Sequence, residues 1–396
     1  MADTHTPPKS QIFFPMAAAP VAMRTTGKGF QKDCASGALS GHGTAAPLAV
    51  SGGTFDPVST RLADIAAKAG VSEATVSRVL NGKAGVAPAT REAVIEALDS
   101  FDYERPARIR QPRAGLIGLI VADLSNPIFP AFAEVIENTL AMHGYTAVLC
   151  ALAPGGINED DYTDLLLERG VSGIIFVSGL HADSQADHGG YKRLTDRGLP
   201  IVLVNGYTDE VDATFVSSDE AGSMELAVAH LAQLGHRRIG LAVGQERFVP
   251  VIRKTQGYRK GMADRLGVTD VDQWISNTIF TIEGGEAAAR QLLDRGCTAI
   301  CCANDMMAIG AIRAARGQDL RVPEDVSVVG FDDSPLMGYI DPPLTTIRQP
   351  VREMALVAVR GLLDEIKGVG SPHTELVFRP ELVVRGSTGP AAGDAL

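Results

Sequence analysis

The segment from Thr60 to Gly82, TRLADIAAKAGVSEATVSRVLNG, constrains the chain more than any other, because its spacing specifies two short helices joined by a sharp turn. Counting Leu62 as the first position, Ala66 falls fifth, where a larger side chain would force the helices apart. Gly70 falls ninth, at the turn, where a positive φ costs glycine nothing. Val76 falls fifteenth, and Val76, Val79 and Leu80 recur at helical intervals as a buried stripe. Ser72 sits where an N-cap belongs. Glu73, Ala74, Thr75, Ser77 and Arg78 are left on or beside the outer face, with Thr60 and Asn81 at the two ends of the unit. Small, polar and basic side chains on such a face reach base edges in a major groove. An ordinary helical hairpin shares the glycine turn but does not require the other two constraints.

The pattern continues through Val86, Pro88, Thr90, Arg91, Glu92, Val94, Leu98 and Tyr103. With those positions the segment resembles the DNA-binding head of the LacI family of bacterial transcription regulators. The resemblance implies a periplasmic-binding-protein-like core, a homodimer, a double-stranded DNA operator and a small-molecule effector, with no cofactor.

At 396 residues the chain has room for a small head and a two-lobed core. Its net charge of -11 looks wrong for a DNA binder until it is divided. Residues 58–113 hold nine Lys/Arg against seven Asp/Glu, whereas residues 114–396 hold 23 against 37. Phosphate contacts therefore belong to the head, and the acidic body keeps nonspecific binding weak. No apolar run reaches the roughly 18 residues of a membrane span. Cys34, Cys150, Cys297, Cys301 and Cys302 form an odd set without metal-ligand spacing; Cys301 and Cys302 read as small buried thiols, which suits a reducing cytoplasm.

Residues 1–57 are rich in Ala, Gly, Pro, Ser and Thr and are expected to be a disordered extension. Pro15 and Pro20 break the apolar patch between Ile12 and Met23 that would otherwise suggest a signal peptide. A translation start at Val58 would leave the extension unmade. The head is expected over 58–104, a linker over 105–114, the core over 115–388 and a disordered tail over 389–396. Within the core, apolar runs alternate with amphipathic helices, the mark of parallel α/β architecture. The runs are Leu116–Ala122, Thr146–Leu152, Gly173–Val177, Pro200–Asn205, Arg238–Val243, Ala299–Ala303 and Val326–Phe331. Seven strands exceed one compact sheet, so two lobes are expected, one ending near Asn205 and the other starting near Glu220. The fold class is thus an all-α helix-turn-helix head with a two-lobed α/β core of parallel sheets.

In doubly wound sheets ligands bind beyond the carboxyl ends of the strands, which places the pocket in the cleft between lobes. Asp123 to Phe129, Asn304-Asp305 and Asp332-Asp333 all follow strands. Carboxylates and amides there suit sugar hydroxyls, and Phe129 and Phe280 offer faces for a pyranose ring. The resemblance implies that Asn304, Asp332 and Phe280 line the effector pocket and that the helix carrying Arg253 and Lys254 grips the ligand. Arginine is usual in the family where Lys254 stands, which leaves open which of the two points inward. Asp305 alternatively caps the next helix, and Asp332 alternatively anchors a turn. The segments LLLERGVSGIIFVSGLHADS, RFVPVIRK and VGFDDSPL resemble one branch of the family, the maltose-operon repressors of high-GC Gram-positive bacteria, which implies an α-glucoside effector.

The linker departs from the family pattern. Many members carry a hinge helix here with a leucine wedge, but in YERPARIRQPRAG Pro112 interrupts the expected position. Ile109 is the available wedge in a shifted register, and Arg105, Arg108, Arg110 and Arg113 can hold phosphates or a narrow minor groove. The alternative is a flexible basic linker. Phosphate-binding loops, nucleophile elbows and zinc motifs are absent from the sequence, so no enzyme activity and no metal are expected. His236 reads as a helix end. A sugar-binding transport protein would share the core but not the head. A repressor released by sugar is expected, and a regulator strengthened by its ligand uses the same fold.

Overall fold

The computed structural model describes residues 12–14, 57–80, 86–100, 115–153, 155–370 and 373–392. The chain divides into two compact units, residues 18–112 and residues 1–17 with 113–396.

The first unit is the head. It contains α1 (Pro57–Ala69), α2 (Glu73–Leu80) and α3 (Pro88–Ser100). Ile65 and Ala66 of α1, Val76 and Val79 of α2, and Val94, Ala97 and Leu98 of α3 form one buried cluster. Gly70 takes φ +66°, and the Val71 amide donates to the Ala66 carbonyl (3.0 Å) to close the turn.

The second unit is the core, with two mostly parallel sheets. The sheet of lobe one is built from β1 (Ile12–Phe14), β2 (Gly115–Val121), β3 (Tyr145–Ala151), β4 (Gly173–Val177), β5 (Ile201–Val204), β6 (Thr214–Ser218) and β12 (Glu375–Phe378), in the order β1-β12-β6-β5-β4-β2-β3. Lobe two uses β7 (Ile239–Val243), β8 (Ile275–Asn277), β9 (Ala299–Cys302), β10 (Ser327–Asp332), β11 (Thr345–Arg348) and β13 (Glu381–Val383), ordered β13-β11-β10-β9-β7-β8. Among the described residues, only β13 runs antiparallel, against β11. The central strands are apolar and buried on both faces, as parallel strands between helical layers must be.

Helices α4 (Ile128–Met142), α5 (Glu159–Glu168) and α6 (Gly189–Asp196) follow strands of lobe one. Lobe two has α7 (Glu220–Gln233), α8 (Val249–Leu266), α9 (Ile282–Asp294) and α10 (Asp305–Arg316). The last helix, α11 (Val351–Ile366), returns to lobe one, where Met354, Ala358, Val359 and Leu362 join Ile136 and Leu140 of α4 in one core. The chain passes between lobes at Asp219, at Gln349-Pro350 and at Arg379-Pro380.

Three expectations need correction. Lobe one does not end near Asn205: β6 extends it to Ser218, its backbone taken up by β5 and β12. The expected disordered tail is anchored over its first residues. His236, just beyond α7, lies within hydrogen-bonding distance of the Thr298 and Ser327 hydroxyls and the Gly389 carbonyl, and the Ala391 amide donates to Leu234. Disorder over residues 1–57 fails at Ile12–Phe14, which pairs in parallel register with Leu376–Phe378, and at Pro57, where α1 begins. The remaining residues of the extension and Tyr103 to Ala114, including Arg105, Arg108 and Arg110, lie outside the described residues, as does Asn81.

Candidate functional site

The head's outward face follows from its core. Because Val76 and Val79 point inward, the 100° step of the helix turns Glu73, Ala74 and Arg78 into solvent, with Thr75 and Ser77 half-buried beside them. Ser72 caps α2 through its Oγ, which accepts from the Thr75 amide (3.3 Å) and pairs with Thr75 Oγ1 (2.9 Å). A short, rigid helix thus presents one cation and small neighbours. Thr60 lies within α1.

In each lobe the strand order reverses around one strand, β2 between β3 and β4, and β7 between β8 and β9. Loops at the carboxyl ends of these strands face the cleft. On the lobe-two side, Asn304 caps α10: its Oδ1 accepts from the Met307 amide (2.8 Å), and its Nδ2 donates to the Phe280 carbonyl (3.4 Å). The cap considered for Asp305 therefore belongs to its neighbour. Asp305 is fully buried and ties strand β11 to the loop after β10 instead, accepting from Thr346 Oγ1 (2.6 Å) and the Ser334 amide (2.7 Å).

Asp332 ends β10 with φ +116°. Its carboxylate accepts from Gln349 Nε2 (2.7 Å) and, from lobe one, Asn126 Nδ2 (3.5 Å). It is more than a turn anchor, since it gathers groups from both lobes. Burial pushes Asp305 and Asp332 up, and the Asp332 charge adds to the rise at Asp305. Lys254 is buried with its Nζ 3.8 Å from the Phe331 ring centroid. Burial lowers its pKa, opposed by Glu220 and Asp332.

Arg253 departs from the expected effector set. One residue along α8 is a 100° rotation, and the Arg253 guanidinium is turned to Glu375, donating to both carboxylate oxygens (2.6 and 3.0 Å). Lys254 is therefore the basic residue beside Asp332. Phe280 is 38% exposed and packs its ring so closely on Gly244 that no Cβ fits there. Phe129 is half-buried against the lobe-one core. A cavity of about 350 Å³ lies beside Asp332, lined also by Ile128, Ser334, Arg348, Gln349 and Glu381; Asp332 alone of the seven expected effector residues reaches it.

Sequence reasoning named the segment that holds Asn126 without giving that residue a role, and it missed several other polar groups. Asn126 and Gln349 hold Asp332. Asn205 Oδ1, the Ser217 and Ser218 hydroxyls and Thr255 Oγ1 are buried without a hydrogen-bond partner. Such an atom costs about 1–3 kcal/mol, which a polyhydroxylated ligand would return. A signal existed for Asn205: asparagine before glycine after an apolar run favours the positive φ, here +64°. Among the described residues no group of His, Cys, Asp or Glu could hold a metal ion, and no helix is long and apolar enough to cross a membrane.

Comparison with known proteins agrees with this division. Residues 61–106 match the profile of bacterial regulatory proteins of the lacI family, and residues 228–388 that of a periplasmic binding protein-like domain. The chain is 58% identical over 340 residues to the HTH-type transcriptional regulator MalR of Streptomyces coelicolor, covering 85% of this chain and 99% of that one. Among solved structures it resembles a transcriptional regulator CelR–cellobiose complex (TM-score 0.62, 32% identity, 82% of this chain and 99% of that one). It also resembles the lac repressor dimer bound to operator and the anti-inducer ONPF (TM-score 0.62, 29% identity, 83% and 98%). These relatives are regulators of transcription rather than enzymes. The chain belongs to the LacI family of bacterial transcriptional regulators.

Proposed function

We propose that the protein is a homodimeric repressor of the cytoplasm, released from a pseudo-palindromic operator by a neutral sugar of the maltose or α-glucoside type. The observation that carries this reading is the cleft. Buried oxygens without partners stand at the ends of β5 and β6 and on α8, while Arg253 is already engaged by Glu375 and the Lys254 charge is matched by Glu220 and Asp332. Such a site favours hydroxyls over an anion. The MalR name of the 58% identical relative and the cellobiose of the CelR complex support a glucoside.

Two heads related by a two-fold axis would bind two half-sites, with Glu73, Ala74, Thr75, Ser77 and Arg78 toward the bases. Thr60 and Asn81, with Arg105, Arg108 and Arg110 of the linker, are assigned to the backbone and minor groove. Lys254, Phe280, Asn304 and Asp332 are assigned to the sugar, with Phe129 across the cleft and Asp305 holding Ser334 and Thr346 behind them. For the sugar to release DNA it must bind the non-operator state more tightly, since equal affinity for both would shift nothing. Fluorescence anisotropy on DNA from the gene's own upstream region, with and without maltose at fixed salt, tests the reading. Tight binding weakened by maltose is the expected result. Tight binding indifferent to maltose would discard the sugar, and absence of binding would remove the operator assignment.

A further inference from the structure

The loops that follow β4 and β7 meet directly. The Ser184 amide and Ser184 Oγ both donate to the Arg247 carbonyl, at 2.8 and 2.7 Å, and Asp183 and Phe248 form an isolated antiparallel bridge. Arg247 Nε lies 3.2 Å from Asp183 Oδ2, and its guanidinium stands 5.0 Å from the centroid of the Phe248 ring. Residues 179–188 belong to lobe one and residues 245–248 to lobe two, so this contact joins the lobes without using the three crossovers.

Each side is built as a prepared surface. In lobe one, buried Glu159 accepts from the Leu180 amide (3.0 Å) and from the Tyr191 hydroxyl, which itself accepts from the His181 amide (3.0 Å). His188 Nε2 sits 3.1 Å from the Asp183 carbonyl and 3.3 Å from that of Leu180. These buried groups hold the loop in shape. In lobe two, Phe248 is the N-cap residue of α8, the helix that carries Lys254, and its ring lies 6.0 Å from Phe280. The contact itself is light. Arg247 is 46% exposed, so solvent screens its pairing with Asp183.

We infer that Asp183, Ser184 and Arg247 form a latch that holds the two lobes shut over the effector and couples its capture to the start of α8. This rests on the effector-responsive reading above. A loop held in shape on one side and a helix start on the other make the latch a two-state element: engaged, it fixes the start of α8 and the Phe248–Phe280 contact; released, it opens the rim for entry.

The test uses the full chain, with Arg247→Ala, Asp183→Asn and the exchanged pair Asp183→Arg with Arg247→Asp. Amide hydrogen exchange at Ser184, measured without sugar, is expected to be slow in the unsubstituted protein and about threefold faster in Arg247→Ala, which keeps the carbonyl but loses the screened ion pair. The maltose concentration that half-releases operator DNA is expected to rise about threefold in both single variants and to return toward its original value in the exchanged pair, with sugar-free operator affinity unchanged. Unprotected exchange at Ser184 in the unsubstituted protein overturns the latch. So does an unaltered half-release concentration in the single variants. If maltose fails to release the unsubstituted protein while Ser184 is protected and Arg247→Ala loses that protection, the latch stands and the sugar assignment falls.

Discussion

In the head, Glu73, Ala74 and Arg78 stand in solvent on a short helix. In the cleft, Asp305, Asp332 and Lys254 are each at most 5% exposed and depend on one another and on Asn126, Thr346 and Gln349. The head's face needs only a correctly packed helix beneath it, because water solvates its charges until DNA replaces the water. The cleft must keep its charges compensated at all times, because burial penalises each one. Substitutions on the first surface should therefore act singly, whereas substitutions in the second should spread to their neighbours.

The sharpest way to break this contrast is Arg78→Ala. Two heads each losing a base contact of about 1–3 kcal/mol should lower operator affinity by roughly two to four orders of magnitude, with sugar binding and melting temperature unchanged. Anisotropy and calorimetry would check it, and a large loss of stability would contradict the exposed-face account. Next comes Ile65→Ala, which empties the centre of a small core and should destabilise the head by about 2–5 kcal/mol. Hydrogen exchange should show faster opening of α1 to α3 amides while β2, β4 and β7 amides keep their protection.

Asp332→Ala removes a carboxylate that takes bonds from both lobes. Hydrogen bonds to charged groups contribute about 1.5–3 kcal/mol, so sugar affinity should fall about 10- to 100-fold, giving a protein that stays on its operator in maltose. Titration calorimetry reads the affinity, and unchanged affinity would remove Asp332 from the site. Gly70→Ala tests the turn: a Cβ there meets no atom within 4 Å, so the cost should be only the positive-φ penalty of about 1–2 kcal/mol, read as a lowered head melting temperature.

The finest test is a slope with pH. Burial pushes the paired Asp332 and Asp305 carboxyls up, and the Asp332 charge adds to the rise at Asp305, so the folded protein keeps protons beyond the point, about pH 4, where the unfolded chain has released them. The contribution of the pair to stability is full below that point and is lost as pH rises through the raised folded values. Urea midpoints measured from pH 5 to pH 8 should therefore show a fall that flattens in Asp305→Asn; an equal fall in both proteins would place the titration elsewhere.

The same contrast explains what could be read from residues alone. The head was readable because Ala66, Gly70 and Val76 each answer a local steric demand, and the apolar central strands of both lobes announced themselves by composition. Strands β1, β6, β8, β11, β12 and β13 did not: Thr214–Ser218 and Thr345–Arg348 are half polar or more, Ile12–Phe14, Ile275–Asn277 and Glu381–Val383 are three residues long, and each pairs with a neighbouring strand that takes its hydrogen bonds. Helix α6 opens with two glycines, which argue against a helix. Asp332 was found as a carboxylate at a strand end, but its partners Asn126 and Gln349 are distant in sequence. Nothing local distinguishes Ser184 from any loop serine until Arg247 lies beside it.

The order in which the chain is made bears on the lobe that α11 completes. Lobe two is nearly continuous in sequence, from α7 to β11, and can gather its core as it emerges. Lobe one begins earlier yet waits longest, because α11 and β12 cover Ile117, Val177 and Val202 only after all of β11 has been synthesised. Until then an unfinished sheet with apolar strands stands open while its neighbour folds inside the interruption, which makes the interval before Val351 appears the period of greatest exposure to aggregation.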